Sequence, residues 1–167
     1  MKKNIVVISH CILNQNSVVN GLERAKGPFP ISKNILEKDI SIIQLPCPEF
    51  LYLGFNRPPM NYDEYACIKG YRDFCKKLLL PIIEQLKSYI ENGYNYLGII
   101  GINESPNCSI TDRQGVYMEE YFTLIKDNKL NNNFMEIPTW YNEDNLGNLL
   151  NIFEEFLKRG NFYEKQH

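Results

Sequence analysis

The sequence has 167 residues with 18 basic and 20 acidic side chains, and its formal charge of −2 lacks the basic excess typical of nucleic-acid-binding proteins. No apolar run approaches the roughly 20 residues of a membrane span, and Ile5–Ile8 is too short for the core of a signal peptide. We therefore expect residues 1–167 to form one cytoplasmic domain that acts on a small molecule, with no nucleic-acid or membrane partner.

The first third of the chain predicts one strand–helix–strand unit. Residues 5–8 are an unbroken β-branched run, which is typical of a strand buried on both faces. The polar stretch from Asn14 to Gly21 predicts a loop after this strand. A short helical pattern over Ile31–Glu37 and an apolar run over Ile40–Leu45 complete the unit.

The rest of the chain continues the same alternation. Apolar residues recur at helical spacing from Tyr62 to Asn92, and Pro81 is expected to kink or divide this helix. The later predicted elements are strands over Tyr96–Ile100 and Phe134–Ile137 and helices over Val116–Lys126 and Asp144–Lys158. The sequence therefore predicts an α/β fold with an open, mainly parallel sheet, Rossmann-like or flavodoxin-like, in three layers with helices on both faces.

Three of the five cysteines, Cys11, Cys47 and Cys108, each follow a predicted strand by no more than about eight residues. Because ligands bind beyond the carboxyl ends of parallel strands, the three thiolates could converge on one point. Thiolates are soft ligands for zinc, copper or iron–sulfur clusters, and three of them leave one position open for water or substrate. The alternative is that they are small buried hydrophobic residues.

The remaining cysteines, Cys67 and Cys75, lie in the long helical pattern, and we expect both to pack in the core. An odd number of scattered cysteines in a reducing compartment does not predict disulfides.

Three segments carry the cysteines: Ser9-His10-Cys11-Ile12-Leu13, Pro46-Cys47-Pro48-Glu49 with the downstream Arg57-Pro58-Pro59, and Ser105-Pro106-Asn107-Cys108. In order and approximate separation they resemble the three signature segments of the TudS-type thiouracil desulfidase family. Where relatives commonly read Ala-Cys-Leu-Leu-Gly and Ser-Pro-Ser-Cys-Gly, however, this chain has His10-Cys11-Ile12-Leu13-Asn14 and Ser105-Pro106-Asn107-Cys108-Ser109. The resemblance is therefore to a divergent, TudS-related branch.

The resemblance implies a [4Fe-4S] cluster held by Cys11, Cys47 and Cys108, with no protein thiolate on the fourth iron. In the family that iron takes the sulfur of a thiocarbonyl substrate, while a carboxylate and a hydroxyl assist proton transfer and attack by water. The positions that match these two groups are Glu49 and Ser105. The implied activity is an oxygen-sensitive, non-redox hydrolysis of a carbon–sulfur bond in thiouracil or another thiolated compound.

Other polar residues near the cysteines are further candidates. His10, Asn14, Asn103 and Asn107 are predicted substrate contacts, although loop asparagines often bond their own backbone. His10 would point away from Cys11 if the first strand continued through it. His167 is expected to be solvated.

Several alternatives stay open at the level of sequence. Glu49 could simply pair with Arg57, Ser105 could be an ordinary turn residue, and Glu104 is another acid in the same loop. The chain could also be a non-catalytic module in which a cluster or a zinc ion holds sulfide or a small ligand. Catalysis by a bare cysteine nucleophile needs a nearby base, for which only His10 is a candidate.

Overall fold

The computed structural model describes residues 3–162, and His167 lies outside them. Within this range four strands form one sheet in the order β2-β1-β3-β4, and every neighbouring pair is parallel. The strands are β1 (Asn4–Ile8), β2 (Ser41–Gln44), β3 (Asn95–Ile102) and β4 (Phe134–Ile137). The predicted α/β fold with a parallel sheet is confirmed, and the order is that of flavodoxin-like folds as far as the fourth strand.

Helices cover both faces of this sheet and enclose two hydrophobic cores. They are α1 (Ile31–Glu37), α2 (Pro48–Leu53), α3 (Tyr62–Ala66), α4 (Tyr71–Glu91), α5 (Val116–Asp127) and α6 (Leu149–Arg159). The core on one face contains Leu79 of α4 and Tyr121 of α5, and the core on the other contains Ile35 of α1 and Phe153 of α6. Because one core lies on each face of the sheet, the predicted arrangement of three layers, helices, sheet and helices, is confirmed.

Strand β1 shows why an unbroken apolar run belongs in the middle of such a sheet. All five of its residues are buried. Ile5 and Val7 point into one core, whereas Val6 and Ile8 point into the other. Because side chains alternate along a strand, a strand with helices on both sides needs apolar residues at every position.

The long helical pattern is interrupted, but not at Pro81. Helix α4 runs through Pro81, and the break lies at residues 67–70, where Gly70 has a φ of 80°. A division at Pro81 is therefore wrong, and a kink there stays a prediction. Pro81 and Lys77, whose carbonyl loses its helical partner, are both exposed, so that water can take the place of the missing hydrogen bond.

One further prediction needs correction, and one helix was missed. The closing helix begins at Leu149 rather than Asp144, because the Asn142 side chain accepts hydrogen bonds from the backbone of Asp144 and Asn145 and holds a turn there. Helix α2 was not predicted. Its six residues are too few to show a helical period.

The two remaining cysteines differ from each other. Cys75 is fully buried in α4, as predicted, whereas Cys67 is exposed and the prediction that it packs in the core is wrong. Cys67 caps the carboxyl end of α3, where the chain leaves the helix and the apolar period no longer applies. Separately, none of the described helices has the length and apolar character needed to cross a membrane.

The order of the strands determines where a ligand is expected. The chain leaves β1 toward β2 on one side, and it leaves β3 toward β4 on the other side. The carboxyl ends of β1 and β3 are therefore the topological switch point, where loops diverge and leave a crevice. The loops after β1, β2 and β3 carry the three cysteine segments to this edge.

Candidate functional site

Cys11, Cys47 and Cys108 line one cavity of about 540 Å³ at the carboxyl edge of the sheet. Cys11 lies in a 3-10 turn that follows β1, Cys47 immediately precedes α2, and Cys108 lies in the loop after β3. These positions are far apart in sequence and meet only because the parallel strands end at one edge. The structure thus brings the three predicted cysteines to one cavity.

Burial raises the pKa of each of these thiols. The pKa of Cys11 rises to about 12 and that of Cys47 to about 11, while that of Cys108 lies well above its usual value. Negative charge on Cys47 adds to the rise at Cys11, and negative charge on Cys11 and Cys47 adds to the rise at Cys108. Three thiolates at this edge would therefore repel one another unless a cation compensated their charge.

The described residues contain no preformed site for a single metal ion. Among residues 3–162 no three His, Cys, Asp or Glu side chains are placed to hold one metal ion together. A tetrahedral zinc site would need such a group. A cluster makes a different demand, because each cysteine binds a different iron and the sulfurs stand apart around it. Cys11, Cys47 and Cys108 are the residues that would hold it.

The raised pKa values predict slow alkylation of the cavity thiols in the metal-free protein. With a pKa of about 12, only about one Cys11 thiol in ten thousand is ionised at pH 8. Mass spectrometry after iodoacetamide treatment should show exposed Cys67 modified at least about tenfold faster than Cys11. The Cys11 rate should rise about tenfold per pH unit between pH 8 and 10. Equal rates at Cys11 and Cys67 would contradict the raised pKa of Cys11.

Glu49 lies in the first turn of α2 and also lines the cavity. Its Oε1 accepts a hydrogen bond of 3.0 Å from Asn107, and its Oε2 lies 3.4 Å from Nη2 of Arg57. The Arg57 side chain is almost fully buried and also donates to the backbone oxygen of Ser17 at 2.6 Å. The pairing with Arg57 is thus present, and together with Asn107 it fixes the carboxylate at the cavity wall.

Asn107 joins Glu49 to the helical layer. Its side-chain nitrogen donates to Glu49, and its side-chain oxygen accepts a 2.9 Å hydrogen bond from the Tyr71 hydroxyl. Since Asn107 is 1% exposed, this chain of bonds is shielded from water. Asn107 lines the cavity, as expected of a substrate contact, but these bonds give it a second role in orienting Glu49.

Ser105 lines the cavity and also stabilises the turn that carries Cys108. Its Oγ accepts hydrogen bonds from the backbone nitrogens of Asn107 and Cys108, at 3.3 and 3.0 Å. The hydroxyl proton is bonded to no described residue. Ser105 is therefore a turn residue whose proton remains free for a ligand.

The other predicted contacts lie in different surroundings. His10 lines the cavity, and its Nδ1 donates to the Leu45 oxygen at 3.0 Å, because a carbonyl can only accept. Asn103 lines the cavity and donates to Thr111 and Glu136 at 3.3 and 3.4 Å. Asn14 does not line this cavity.

Asn14 instead lines a neighbouring cavity of about 420 Å³, whose wall also includes His10 and Cys47. Its side chain accepts from the backbone nitrogen of Asn16, which is the local bond expected of a loop asparagine.

Arg24 and Tyr65 are among the residues of the cavity wall that sequence reasoning did not find. Arg24 comes from the loop before α1, and its Nη1 donates to the backbone oxygens of Pro138, Thr139 and Tyr141 at 2.7 to 3.1 Å. Tyr65 comes from α3, with its side chain fully buried. Neither belongs to a cysteine segment, and no local pattern distinguishes Tyr65 from the other ten tyrosines.

The start of α5 holds the Cys108 loop in place. The backbone nitrogens of Val116 and Met118 donate to the oxygens of Pro106 and Asn107, both at 3.0 Å. This contact is possible because Gly115 has no side chain, and a Cβ atom there would overlap the carbonyl group of Asn107.

Gly115→Ala is therefore expected to lower the free energy of unfolding by about 1–3 kcal/mol, because the added methyl group must push Asn107 away. Urea denaturation followed by circular dichroism measures this change. Gly27→Ala is the matched control, since a Cβ at Gly27 meets no atom within 4 Å. Equal stability of the two variants would show that the loop yields without cost.

The chain is similar to a protein of Methanocaldococcus jannaschii that bears the name "Uncharacterized protein MJ0003". The two sequences are 43% identical over 157 residues, which cover 93% of this chain and 98% of that protein. No protein-family model matches the chain, and no solved structure matches it significantly. The name of the relative states no activity, so the function has to be argued from the cavity.

Proposed function

The chain belongs to the family of MJ0003, and we propose that it is an iron–sulfur-dependent desulfidase that removes sulfur from a thiolated small molecule by non-redox hydrolysis. The observation that carries the proposal is the presence of three thiols, a fixed carboxylate and a free hydroxyl proton in one cavity. These are the groups that the resemblance to TudS-type thiouracil desulfidases implies, namely Cys11, Cys47 and Cys108 with Glu49 and Ser105.

The proposed cofactor is a [4Fe-4S] cluster held by the three cysteines. When bound, it would supply an iron without a protein ligand that polarises a carbon–sulfur bond as a Lewis acid. Positive charge at this place would also offset the repulsion among the buried thiolates.

Glu49 is proposed to take a proton from the attacking water and to pass it to the sulfur, which leaves as hydrosulfide when the carbon–sulfur bond breaks. Its carboxylate lines the cavity and is oriented from both sides by Asn107 and Arg57. An oriented base within reach of its proton is what general acid–base catalysis requires. The Arg57 side chain is almost fully buried, so bulk water does not disturb its contact with Glu49.

Ser105 is proposed to donate a hydrogen bond from its hydroxyl group to the substrate. Both hydrogen bonds that its Oγ accepts come from the backbone of its own turn, which leaves the proton free and fixes the oxygen. Apolar side chains such as Val18, Leu22 and Met60 form other parts of the wall. They exclude water and suit the faces of a thiouracil-like ring.

The proposed cluster and its thiol ligands also indicate the cellular compartment in which the protein works. An iron with an open position is easily lost in the presence of oxygen, and thiols stay reduced in the cytoplasm. We therefore propose a cytoplasmic, oxygen-sensitive enzyme.

The test is release of hydrosulfide from 2-thiouracil and related thiones by protein that has been reconstituted anaerobically with iron and sulfide. Release over many turnovers, together with about four iron atoms per chain, supports the proposal. Protein without iron is the control. Capture of one sulfide per chain without turnover would instead favour a binding module, and an iron-free protein after careful reconstitution would contradict the desulfidase.

A further inference from the structure

The side chain of Tyr65 ends in a hydroxyl group that the proposed reaction does not use. Tyr65 is fully buried and lines the cavity beside Glu49. Its hydroxyl forms no hydrogen bond with any residue in the described range 3–162. Glu49 and Arg57 lie near the hydroxyl and affect its pKa both by charge and through side-chain hydrogen bonding, although neither forms with it a contact of full hydrogen-bond geometry.

An unpartnered polar group at this depth is costly in an otherwise well-packed layer, because burial removes its bonds to water. Its position in a cavity wall allows a ligand to supply the missing partner. The same cost occurs elsewhere in the protein, at the Tyr117 hydroxyl, but Tyr117 is not among the residues that line the cavity. Tyr65 thus differs from Tyr117 because it lines the cavity, although both hydroxyls are buried without a partner among the described residues.

The Tyr65 ring is held firmly before any ligand arrives. Helix α3 begins with a capping box in which Asn61 and Glu64 bond each other's backbone nitrogens. The Tyr65 ring packs against the Tyr71 ring with centroids 5.3 Å apart. Since Tyr71 also bonds Asn107, the same tyrosine supports both Tyr65 and the orientation of Glu49.

The chemistry of the two groups is complementary. Burial raises the pKa of Tyr65 above its usual value, and the charge of Glu49 raises it further, so the hydroxyl keeps its proton and can donate. The Glu49 carboxylate can only accept. A donor and an acceptor side by side match a ligand edge that carries an N–H group next to a C=O group.

We propose that Tyr65 is a specificity-determining residue, whose hydroxyl donates a hydrogen bond to a carbonyl oxygen next to the N–H group that faces Glu49. The inference deepens the proposed function and rests on it for the thiocarbonyl part of the ligand. The Tyr65 hydroxyl thereby favours ligands that carry a lactam edge beside the thiocarbonyl, and it disfavours rings that lack the second carbonyl group.

The test compares two ligands by anaerobic titration calorimetry, so that turnover is not needed. Uracil carries the second carbonyl group, and tetrahydropyrimidin-2-one keeps both N–H groups but lacks that carbonyl. The iron-loaded wild-type protein should bind uracil about five- to tenfold more tightly than tetrahydropyrimidin-2-one. Tyr65→Phe should abolish this preference by weakening uracil binding alone, which makes the two ligands and two proteins a double-mutant cycle.

Tyr117→Phe is the matched control, because it removes a hydroxyl that is equally buried and equally without a partner outside the cavity. Both variants should keep the wild-type melting temperature or exceed it. The control should retain the preference for uracil. With thiolated substrates, Tyr65→Phe should reduce kcat/KM for 2-thiouracil and leave that for tetrahydropyrimidine-2-thione unchanged.

The inference and the proposed function fail in different ways. A preference for uracil that survives in Tyr65→Phe, or that is absent from the wild-type protein, overturns the role of Tyr65 even if hydrosulfide is released. A preference that depends on Tyr65 in a protein that releases no hydrosulfide supports the role of Tyr65 in binding and overturns the desulfidase.

Discussion

Serine in place of Cys11, Cys47 or Cys108 is expected to give a colourless protein that retains almost none of the four iron atoms expected per chain. Each substitution removes one of the three cysteine side chains that line the cavity among residues 3–162. A serine hydroxyl does not replace a thiolate as a soft ligand for iron. Iron and acid-labile sulfide assays after anaerobic reconstitution, together with the visible absorption spectrum, measure the loss.

The chain supplies its own controls for this experiment. Cys67 is exposed and Cys75 is buried in the helical layer, and neither lines the cavity. Cys67→Ser and Cys75→Ser should therefore keep full iron content, although Cys75→Ser places a hydroxyl in the core and should be checked for stability. Full iron content in any one of the three cavity variants would show that its cysteine is not a ligand.

Glu49→Gln is expected to lower kcat for hydrosulfide release by about 100- to 10,000-fold while iron content stays unchanged. The substitution keeps the size of the side chain but removes the group proposed to accept the proton. Because the buried Arg57 loses its charged partner, the variant should also lose about 1–3 kcal/mol of stability. Assays therefore belong at a temperature well below the melting temperature of the variant.

Glu104→Gln is the matched control for charge. Glu104 is exposed and lines the same cavity from the loop that carries Ser105. If the reaction depends on a particular carboxylate and not on negative charge near the cavity, Glu104→Gln should retain activity within a few-fold of wild type. The reverse result, with an active Glu49→Gln and an inactive Glu104→Gln, would transfer the proposed base to Glu104.

The layout of the fold was readable from local sequence because burial on both faces leaves a local signal. The β-branched run at 5–8 and the pattern at 134–137 become β1 and β4, and Ile31–Glu37 becomes α1 with the same bounds. The failures have physical causes as well. Proline at position 81 lies on the exposed side of α4, where water compensates for it, and α2 is too short to show a period.

For the site, the sequence predicted the cysteines but not the residues around them. Its three cysteines could be predicted to meet, since each follows a strand and parallel strands end at one edge. Their surroundings could not. The bond from Asn107 to Glu49 joins residues 58 positions apart, and the bond from Tyr71 to Asn107 joins residues 36 positions apart.

The sequence by itself thus determined a parallel α/β sheet and an edge at which three thiols gather, because strand periodicity and chain order are local properties. Only the tertiary structure decided that Asn107 and Arg57 orient Glu49, and that Tyr65 adds a free hydroxyl to the same wall. The physical reason is that a hydrogen bond between distant residues depends on how helices pack against the sheet. No spacing along the chain records that packing.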